Sequence, residues 1–245
     1  MIREIVDAEM AVLEVGFGEG YGPVALADEV SSYEALEVDT EAVEFVTAAP
    51  APANVKFRIY DGVNIPFADD SFDVVFAFQV IEHVHELERW LAEIERVCRP
   101  GGTILFTTPN RTHRVMDGER PWNRFHLIEW APRELDELLT RQFLRMNDTS
   151  NAGAGVSVTG ISGTDEINAL ELRRVNRLRR FAKLDPLRLR ERLPATWVHR
   201  LSAVLGKSAD GSNGIGAEDV PIDSFHEHSE NVLGSLDLVG RIDLS

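Results

Sequence analysis

Glycines stand at every second position near the start of the chain, in the segment Glu14-x-Gly16-x-Gly18-x-Gly20. The apolar run Ala11–Val15 leads into them and is typical of a buried strand, and a helical pattern follows. Glycine lets the backbone turn sharply between a strand and a helix, and it lets a ligand lie against the main chain. The segment therefore predicts a loop for a nucleotide-like ligand, with Glu14 beside a cationic group of that ligand.

Acidic residues stand at the ends of the next two predicted strands. Asp39 follows the apolar run 33–38, where an acid reaches the ribose hydroxyls of a bound nucleoside. Asp61 and Gly62 follow the strand predicted over 55–59. Each acid alone is compatible with a surface carboxylate or a helix cap. The carboxyl ends of parallel strands share one edge of a sheet, so the acids and the glycine loop together indicate a nucleoside site.

Two other nucleotide-binding loops are excluded. A G-x-G-x-x-G dinucleotide fingerprint would need glycine at Tyr21 or at Pro23. The chain has no G-x-x-x-x-G-K-[ST] segment, which excludes a P-loop. An acid at Glu14 would also repel a pyrophosphate. The glycine segment therefore does not indicate a dinucleotide or a nucleoside triphosphate.

A second group of reactive side chains follows the fourth predicted strand. Glu82 and His83 come soon after it, and His126 lies in the segment after the fifth. A carboxylate and imidazoles can hold a divalent ion that orients substrate hydroxyls, or one imidazole can act alone as general base. The structural alternative is that Glu82 and His83 cap the next helix and that His126 packs on a tryptophan. We expect His83 and His126 to be functional.

The elements that must position these residues alternate between strand and helix. Such alternation predicts an α/β fold with a doubly wound, mostly parallel sheet. Strands are predicted over 11–15, 33–38, 55–59, 72–78, 103–107 and 236–242, and helices over about 23–29, after 40, over 85–98 and from 132. Residues 150–164 are rich in Gly, Ser and Thr and predict a loop.

Composition narrows the class of protein. The 245 residues carry a net charge of −16, which disfavours a nucleic-acid partner because phosphate contacts need clustered cations. Arginines concentrate over 171–200, as either a solvated helical face or a basic lid over an anionic substrate or membrane surface. One cysteine, no apolar run long enough to cross a bilayer and no signal-peptide pattern favour a cytoplasmic protein.

Four segments, VLEVGFGEGYG, ALEVDTEAV, YDGVNIPFADDSFDVV and VCRPGGTILFTTPN, resemble the successive motifs of class I S-adenosylmethionine (SAM)-dependent methyltransferases. The likeness covers about residues 11–143. It implies a Rossmann-like sheet of seven strands and SAM as the cofactor. The family usually has a helical segment before the first strand that helps cover the cofactor. Ten residues precede that strand here, so we expect the cover to be missing or supplied by the later basic helices.

The resemblance implies a role for each residue of the cofactor site. The methionine end of SAM would be surrounded by Glu14, Gly16, Gly18 and Gly20. Asp39 would bind the ribose hydroxyls, and Asp61 with Gly62 would contact the adenine. Phe78 and Gln79 would lie beside the sulfonium and the incoming substrate.

A narrower resemblance concerns the acceptor. The segments F-Q-V-I-E-H, T-P-N-R and N-R-F-H-x-x-E are similar to actinobacterial sugar O-methyltransferases described as magnesium-dependent. This implies methyl transfer to a sugar or glycan hydroxyl, with Glu82, His83 and His126 as catalytic residues or as ligands of Mg²⁺. RNA 2′-O-methyltransferases share the E-H pair but carry a glutamate where this chain has Gln79. The alternatives are an RNA 2′-hydroxyl, a phenol or small carboxylate, or a non-catalytic SAM-binding module that serves a partner protein.

The predicted organisation has three parts. Residues 1–150 form the SAM-binding core, residues 151–220 a helical, basic cap inserted near the C-terminus, and residues 221–245 return strands that complete the sheet. The expected partner is a small-molecule or glycan substrate, and a homodimer is compatible with the sequence.

Overall fold

The protein was analysed as a computed structural model that describes residues 2–114, 121, 123, 125–144, 154–163, 225–229, 235 and 237–245. The strands are β1 (Ala11–Val15), β2 (Ser32–Glu37), β3 (Val55–Ile59), β4 (Phe72–Phe78), β5 (Cys98–Pro109), β6 (Gly155–Gly163), β7 (Phe225–His228) and β8 (Asp237–Asp243). The α-helices are α1 (Tyr21–Leu26), α2 (Thr40–Thr47), α3 (Leu87–Val97), α4 (Arg111–Arg114) and α5 (Pro132–Phe143). Short 3-10 helices lie at Ile2–Glu4, Ala27–Glu29 and Ile81–His83.

These described strands form one sheet in the order β3-β2-β1-β4-β5-β8-β6-β7. Strands β1 to β5 pair in parallel, and β8 lies antiparallel between β5 and β6. The order reverses at β1 and β4, which is the switch point of a doubly wound sheet. The predicted Rossmann-like, mostly parallel sheet is confirmed, and it has eight strands where the resemblance implied seven.

Apolar side chains cover both faces of the sheet, as expected for parallel strands flanked by helices. Along β4, Val75 and Ala77 belong to one buried cluster, and Val74 and Phe76 belong to the other. This alternation follows from the two-residue period of a strand. It places consecutive residues of a strand on opposite faces while all the strand ends stay at the same edge.

Helix α3 covers one face of the sheet, and its sequence explains its bounds. Trp90, Leu91, Ile94 and Val97 are buried and recur at the three- and four-residue spacing of one helical face. The helix ends at Val97, before the Pro-Gly-Gly segment, as the sequence predicts. Helix α5 begins with proline at its first position, where a missing N–H costs nothing.

The loop predicted over 150–164 is wrong at residues 155–163, which form β6. Val156 and Val158 pack against one core cluster, and residues 155–161 of the strand pair with β8. The small polar residues between them favour a loop locally, but pairing with β8 and burial of alternate valines override that preference.

The chain divides into two compact units, residues 1–161 with 227–245, and residues 162–226. Nearly all of the second unit, with the basic stretch 171–200, lies outside the described residues. The division into core, cap and return strands therefore stays a prediction. Within the described part of the chain, no helix combines the length and apolar character needed to cross a bilayer.

Candidate functional site

The glycine loop follows β1 and adopts a backbone that side chains resist. Gly16, Gly18 and Gly20 all have φ values between +53° and +82°. A Cβ atom on Gly16 would overlap the side chain of Val80, whereas a Cβ on Gly18 would meet no atom within 4 Å. Gly16 is therefore needed for close packing and for its backbone conformation, and Gly18 leaves open space where a ligand can approach.

Glu14 lies beneath this loop and is buried. Its exposed fraction is 4%, and Tyr33 donates a hydrogen bond of 2.7 Å to Glu14 Oε2. A Cβ on Gly22 would collide with the Glu14 carboxylate, so the glycine lets α1 pass over it. Burial raises the pKa of Glu14 to about 7, helped by the charge of Glu37 and opposed by the hydrogen bond from Tyr33.

Glu37, the last residue of β2, connects the glycine loop to the next turn. Its Oε2 accepts the N–H of Gly18 at 2.9 Å, and its Oε1 accepts the N–H of Val38 at 2.8 Å. Asp39 follows as the N-cap of α2 and accepts the N–H of Glu41. A carboxylate offers about four lone-pair sites, so a cap still leaves Asp39 able to accept ribose hydroxyls.

Asp61 and Gly62 form the turn after β3. Asp61 Oδ1 accepts the N–H groups of Val63 and Asn64, and the Asn64 amide donates to Asp61 Oδ2. The hydrogen bond from the Asn64 side chain is the largest of the effects that lower the pKa of Asp61. Arg89 on α3 donates to Asn64 Oδ1 at 2.6 Å and so fixes the turn from outside. Gly62 has φ +88°, a conformation that favours glycine.

The turn after β4 joins the cofactor side of the site to the acceptor side. Gln79 has φ +59°, which is rare for a residue with a side chain, and its N–H bonds the carbonyl of Thr107. Phe78 stacks on Phe76. Val80 then meets the glycine loop at Gly16. This contact places the loop next to the 3-10 helix Ile81–His83 that carries the acidic and imidazole groups.

Glu82 is the most enclosed of those groups, with no exposed surface. Thr108 donates a hydrogen bond of 3.0 Å to Glu82 Oε2, while Oε1 is buried without a hydrogen-bond partner. Burial raises the pKa of Glu82 to about 7, although the hydrogen bonds from its own backbone N–H and from Thr108, and the nearby His126, act in the opposite direction. A carboxyl group in this state is suited to exchange a proton near neutral pH.

One backbone hydrogen bond and one bond from a side chain to the backbone hold the segment of His126 against Glu82 and His83. Leu127 donates its N–H to the Glu82 carbonyl at 2.8 Å, and the Phe125 carbonyl lies 3.0 Å from His83 Nδ1. The imidazole rings of His83 and His126 stand edge to face with centroids 4.8 Å apart. Burial lowers the pKa of His83, and His126 lowers it further.

The three side chains form the acceptor-side cluster, defined as Glu82, His83 and His126. One ligand atom from each lies within 4.8 Å of the other two. The carbonyl of Phe125 can only accept, so His83 Nδ1 carries the hydrogen and Nε2 keeps a lone pair. A carboxylate oxygen of Glu82 and one ring nitrogen of each histidine thus lie close together. Such a set suits a hydroxyl proton or a divalent metal ion.

The alternative that Glu82 and His83 cap the following helix is wrong. Helix α3 begins at Leu87, and its N-cap residue is Glu86, which makes no side-chain capping bond.

Sequence reasoning missed several residues that contact the candidate site residues. The sequence analysis gave no role to three of these residues, Glu37, Tyr33 and Gly22. Glu37 could have been found, because it is an acidic residue at the end of β2. Glu129, three residues after His126, was part of the motif N-R-F-H-x-x-E but received no role. Its Oε1 lies 2.6 Å from His126 Nδ1.

Comparison with known proteins shows similarity to methyltransferases over the part of the chain that contains the glycine loop. The sequence model of Methyltransf_11, a methyltransferase domain, matches residues 13–106. A Mycolicibacterium smegmatis protein named "Probable S-adenosylmethionine-dependent methyltransferase" is 38% identical over 148 residues, which are 60% of this chain and 57% of that protein.

Over residues 13–106 the chain therefore has the sequence of a methyltransferase domain, and it is similar to proteins named SAM-dependent methyltransferases. The ubiquinone biosynthesis O-methyltransferase of Mesorhizobium japonicum is also similar, at 29% identity over 63% of this chain and 62% of that protein. The chain spans about half the length of the curated relatives it matches.

A solved structure shares the fold of this methyltransferase domain at low sequence identity. The [4+2]-cyclase SpnF superposes with a TM-score of 0.60 at 17% identity, over 99% of this chain and 79% of SpnF. The name of SpnF describes a cyclisation, so the fold by itself does not fix the reaction.

Proposed function

We propose that the protein is an O-methyltransferase that moves a methyl group from SAM to a substrate hydroxyl. The observation that carries the proposal is the acceptor-side cluster, whose unpartnered lone pairs lie next to the glycine loop through the contact of Val80 with Gly16. The match of residues 13–106 to a methyltransferase domain and the name of the ubiquinone O-methyltransferase relative support it.

The residues present fit SAM. Gly18 leaves open space at the loop, Asp39 retains acceptor capacity for ribose hydroxyls, and Asp61 with Gly62 offers a fixed turn at the next strand end. Bound SAM supplies an electrophilic methyl group on a cationic sulfur. The protein contributes by holding cofactor and acceptor together, which is the main source of rate in a transfer between two bound molecules.

The acceptor-side cluster would take the hydroxyl proton. If SAM were the donor, a C–O bond to the methyl group would form as its C–S bond broke and left the sulfur neutral, and an imidazole nitrogen or Glu82 would accept the proton of the hydroxyl. Glu82, His83 and His126 could also hold a divalent ion, because Glu82 Oε1 is buried without a hydrogen-bond partner and lies in a group of three possible ligands. The two imidazoles favour a transition metal, and Mg²⁺ would need further oxygen ligands from water or substrate. A bound Mg²⁺ would lower the pKa of a coordinated hydroxyl.

Two classes of acceptor have support. A sugar or glycan hydroxyl is supported by the sequence resemblance around Glu82 and His126. A phenol-type or lipid hydroxyl is supported by three exposed apolar side chains beside His126. They are Phe125 (62% exposed), Leu127 (45%) and Ile128 (44%). The ubiquinone relative favours this second class.

The test measures SAM binding by calorimetry and then transfer of a labelled methyl group to a panel of sugar and phenol acceptors, with magnesium or with EDTA. We expect SAM binding and labelled product from one class. Product that disappears in EDTA would assign the cluster to a metal, and product that persists would assign it to base catalysis. Absence of SAM binding would contradict the proposal.

A further inference from the structure

A second buried carboxylate, Glu129, lies behind the acceptor-side cluster. It is 2% exposed, its Oε1 lies 2.6 Å from His126 Nδ1, and its Oε2 is buried without a hydrogen-bond partner. A buried carboxylate is costly unless a charge or a hydrogen-bond donor compensates it. Among the described residues, the imidazole of His126 forms the side-chain hydrogen bond of Glu129.

The chemistry of the pair fixes where the hydrogen of His126 lies. An ionised carboxylate has only acceptor atoms, so His126 Nδ1 must carry the hydrogen between the two residues. The other ring nitrogen, Nε2, then keeps its lone pair when the imidazole is neutral. His83 is held in the same tautomer, but by the backbone carbonyl of Phe125. His126 therefore differs from His83 in depending on a side chain that can be changed.

We propose that Glu129 is a positioning residue that fixes the ring and the tautomer of His126, an inference that rests on the proposed function for its effect on methyl transfer. Glu129 does not touch the acceptor. It presents His126 Nε2 as the atom that accepts the hydroxyl proton or binds a cation. Carboxylates behind catalytic or metal-binding imidazoles act in this way, and their loss costs about 10- to 100-fold in activity or metal affinity.

The experiment compares Glu129→Gln with the full-length wild type in EDTA, by long-range ¹H–¹⁵N correlation spectra of the histidine rings. The spectra are recorded over a pH series, because the two tautomers can be distinguished only while the imidazole is neutral. His126→Ala assigns the His126 signals. We expect hydrogen on Nδ1 in the wild type and a shift toward Nε2 in Glu129→Gln, because the amide can donate to Nδ1. Glu137→Gln, an exposed acid on α5, is the matched control and should leave the spectrum unchanged.

Kinetics provide the second readout. Glu129→Gln should lower kcat by about 10- to 100-fold while the KM for SAM stays within about twofold. An unchanged His126 tautomer in Glu129→Gln would overturn the inference, whatever the kinetics. If the tautomer shifts but neither protein transfers a methyl group, the positioning role stands and the proposed function fails.

Discussion

The cofactor side and the acceptor side of this site are built in different ways. On the cofactor side, Glu37, Asp39 and Asp61 sit at successive strand ends and accept backbone N–H groups from their own neighbourhoods. On the acceptor side, Glu82 and His126 come from segments more than 40 residues apart, and both Glu82 and Glu129 have a buried oxygen without a partner. These carboxylates of the cofactor side have hydrogen-bond donors in their own turns, whereas the buried oxygens of the acceptor side need a donor or cation from an additional group.

This difference distinguishes side chains that stabilise the fold from side chains that are available for catalysis. A carboxylate whose lone pairs bond backbone N–H groups stabilises the loop that a ligand will use. A buried acceptor atom without a donor is costly to the fold, and such costs concentrate at functional sites. We therefore expect substitutions on the acceptor side to change catalysis most, and substitutions on the cofactor side to change binding and stability.

The largest effect is expected for His126→Ala. Loss of a general base or of a ligand to a cation should lower kcat by roughly 10²- to 10⁴-fold, while SAM affinity stays within about twofold. The measurement is single-turnover transfer together with calorimetric binding of SAM. His85→Ala is the control, because His85 is exposed and lies outside the acceptor-side cluster. An equal loss of kcat in His126→Ala and His85→Ala would contradict the proposed role of the acceptor-side cluster.

The next largest effect is expected for Gly16→Ala. Alanine at this position would have to adopt a left-handed backbone conformation, and its Cβ would clash with Val80. Strain of this kind costs about 1–3 kcal/mol of unfolding free energy, and SAM affinity should fall at least about tenfold. Adding Val80→Ala should recover part of the loss, since it removes the clash but not the strain. Gly155→Ala, with no neighbour within 4 Å, is the control. Urea unfolding and calorimetry measure both quantities.

The Glu14→Gln variant tests how a buried acid makes the free energy of unfolding depend on pH. Burial raises the pKa of Glu14 from 4.5 to about 7, so the folded protein holds a proton that the unfolded chain releases between these values. Glu14 therefore lowers the unfolding free energy as pH rises from about 4.5 to 7, by up to about 3 kcal/mol. The glutamine variant should lose this part of the pH dependence in cofactor-free urea unfolding. An identical decline in both proteins would contradict the assignment.

The smallest effect is expected for Arg89→Ala, which removes the support of Asn64 from outside the Asp61 turn. An exposed side chain in such a contact contributes about 0.5–1 kcal/mol or less. SAM affinity should therefore fall by about twofold to fivefold, with kcat unchanged. Arg133→Ala on α5 serves as the control, because Arg133 is also an exposed partner of a glutamate. A tenfold change in kcat would show that the Asp61 turn affects catalysis, which we expect only of the acceptor side.

Much of the cofactor side could be predicted because its signals are local. The run Ala11–Val15, the glycines after it and Asp39 lie within one strand-turn-helix unit and the strand that follows. Strand periodicity and the turn preference of glycine act over a few residues, so the sequence predicts both the elements and the edge where they meet. Strands β3 and β4 were predicted with the bounds that the structure has.

Strand β6 and the partners of the acceptor side could not be predicted in the same way. The residues of β6 favour a loop by composition and become a strand because β8 pairs with them. Glu129 gains its place from a turn near Asn123 and from the bond of Leu127 to the Glu82 carbonyl. Both depend on contacts between distant segments, which no local propensity encodes.

By itself, the sequence determined the α/β class, the glycine loop and the acids at successive strand ends, because periodicity and turn chemistry are properties of neighbouring residues. Only the tertiary structure decided which acids are satisfied and which are not. It buried Glu82 and Glu129, brought His126 to both, and set Gly16 against Val80. The physical reason is that burial and hydrogen-bond pairing depend on what the folded chain places around a group.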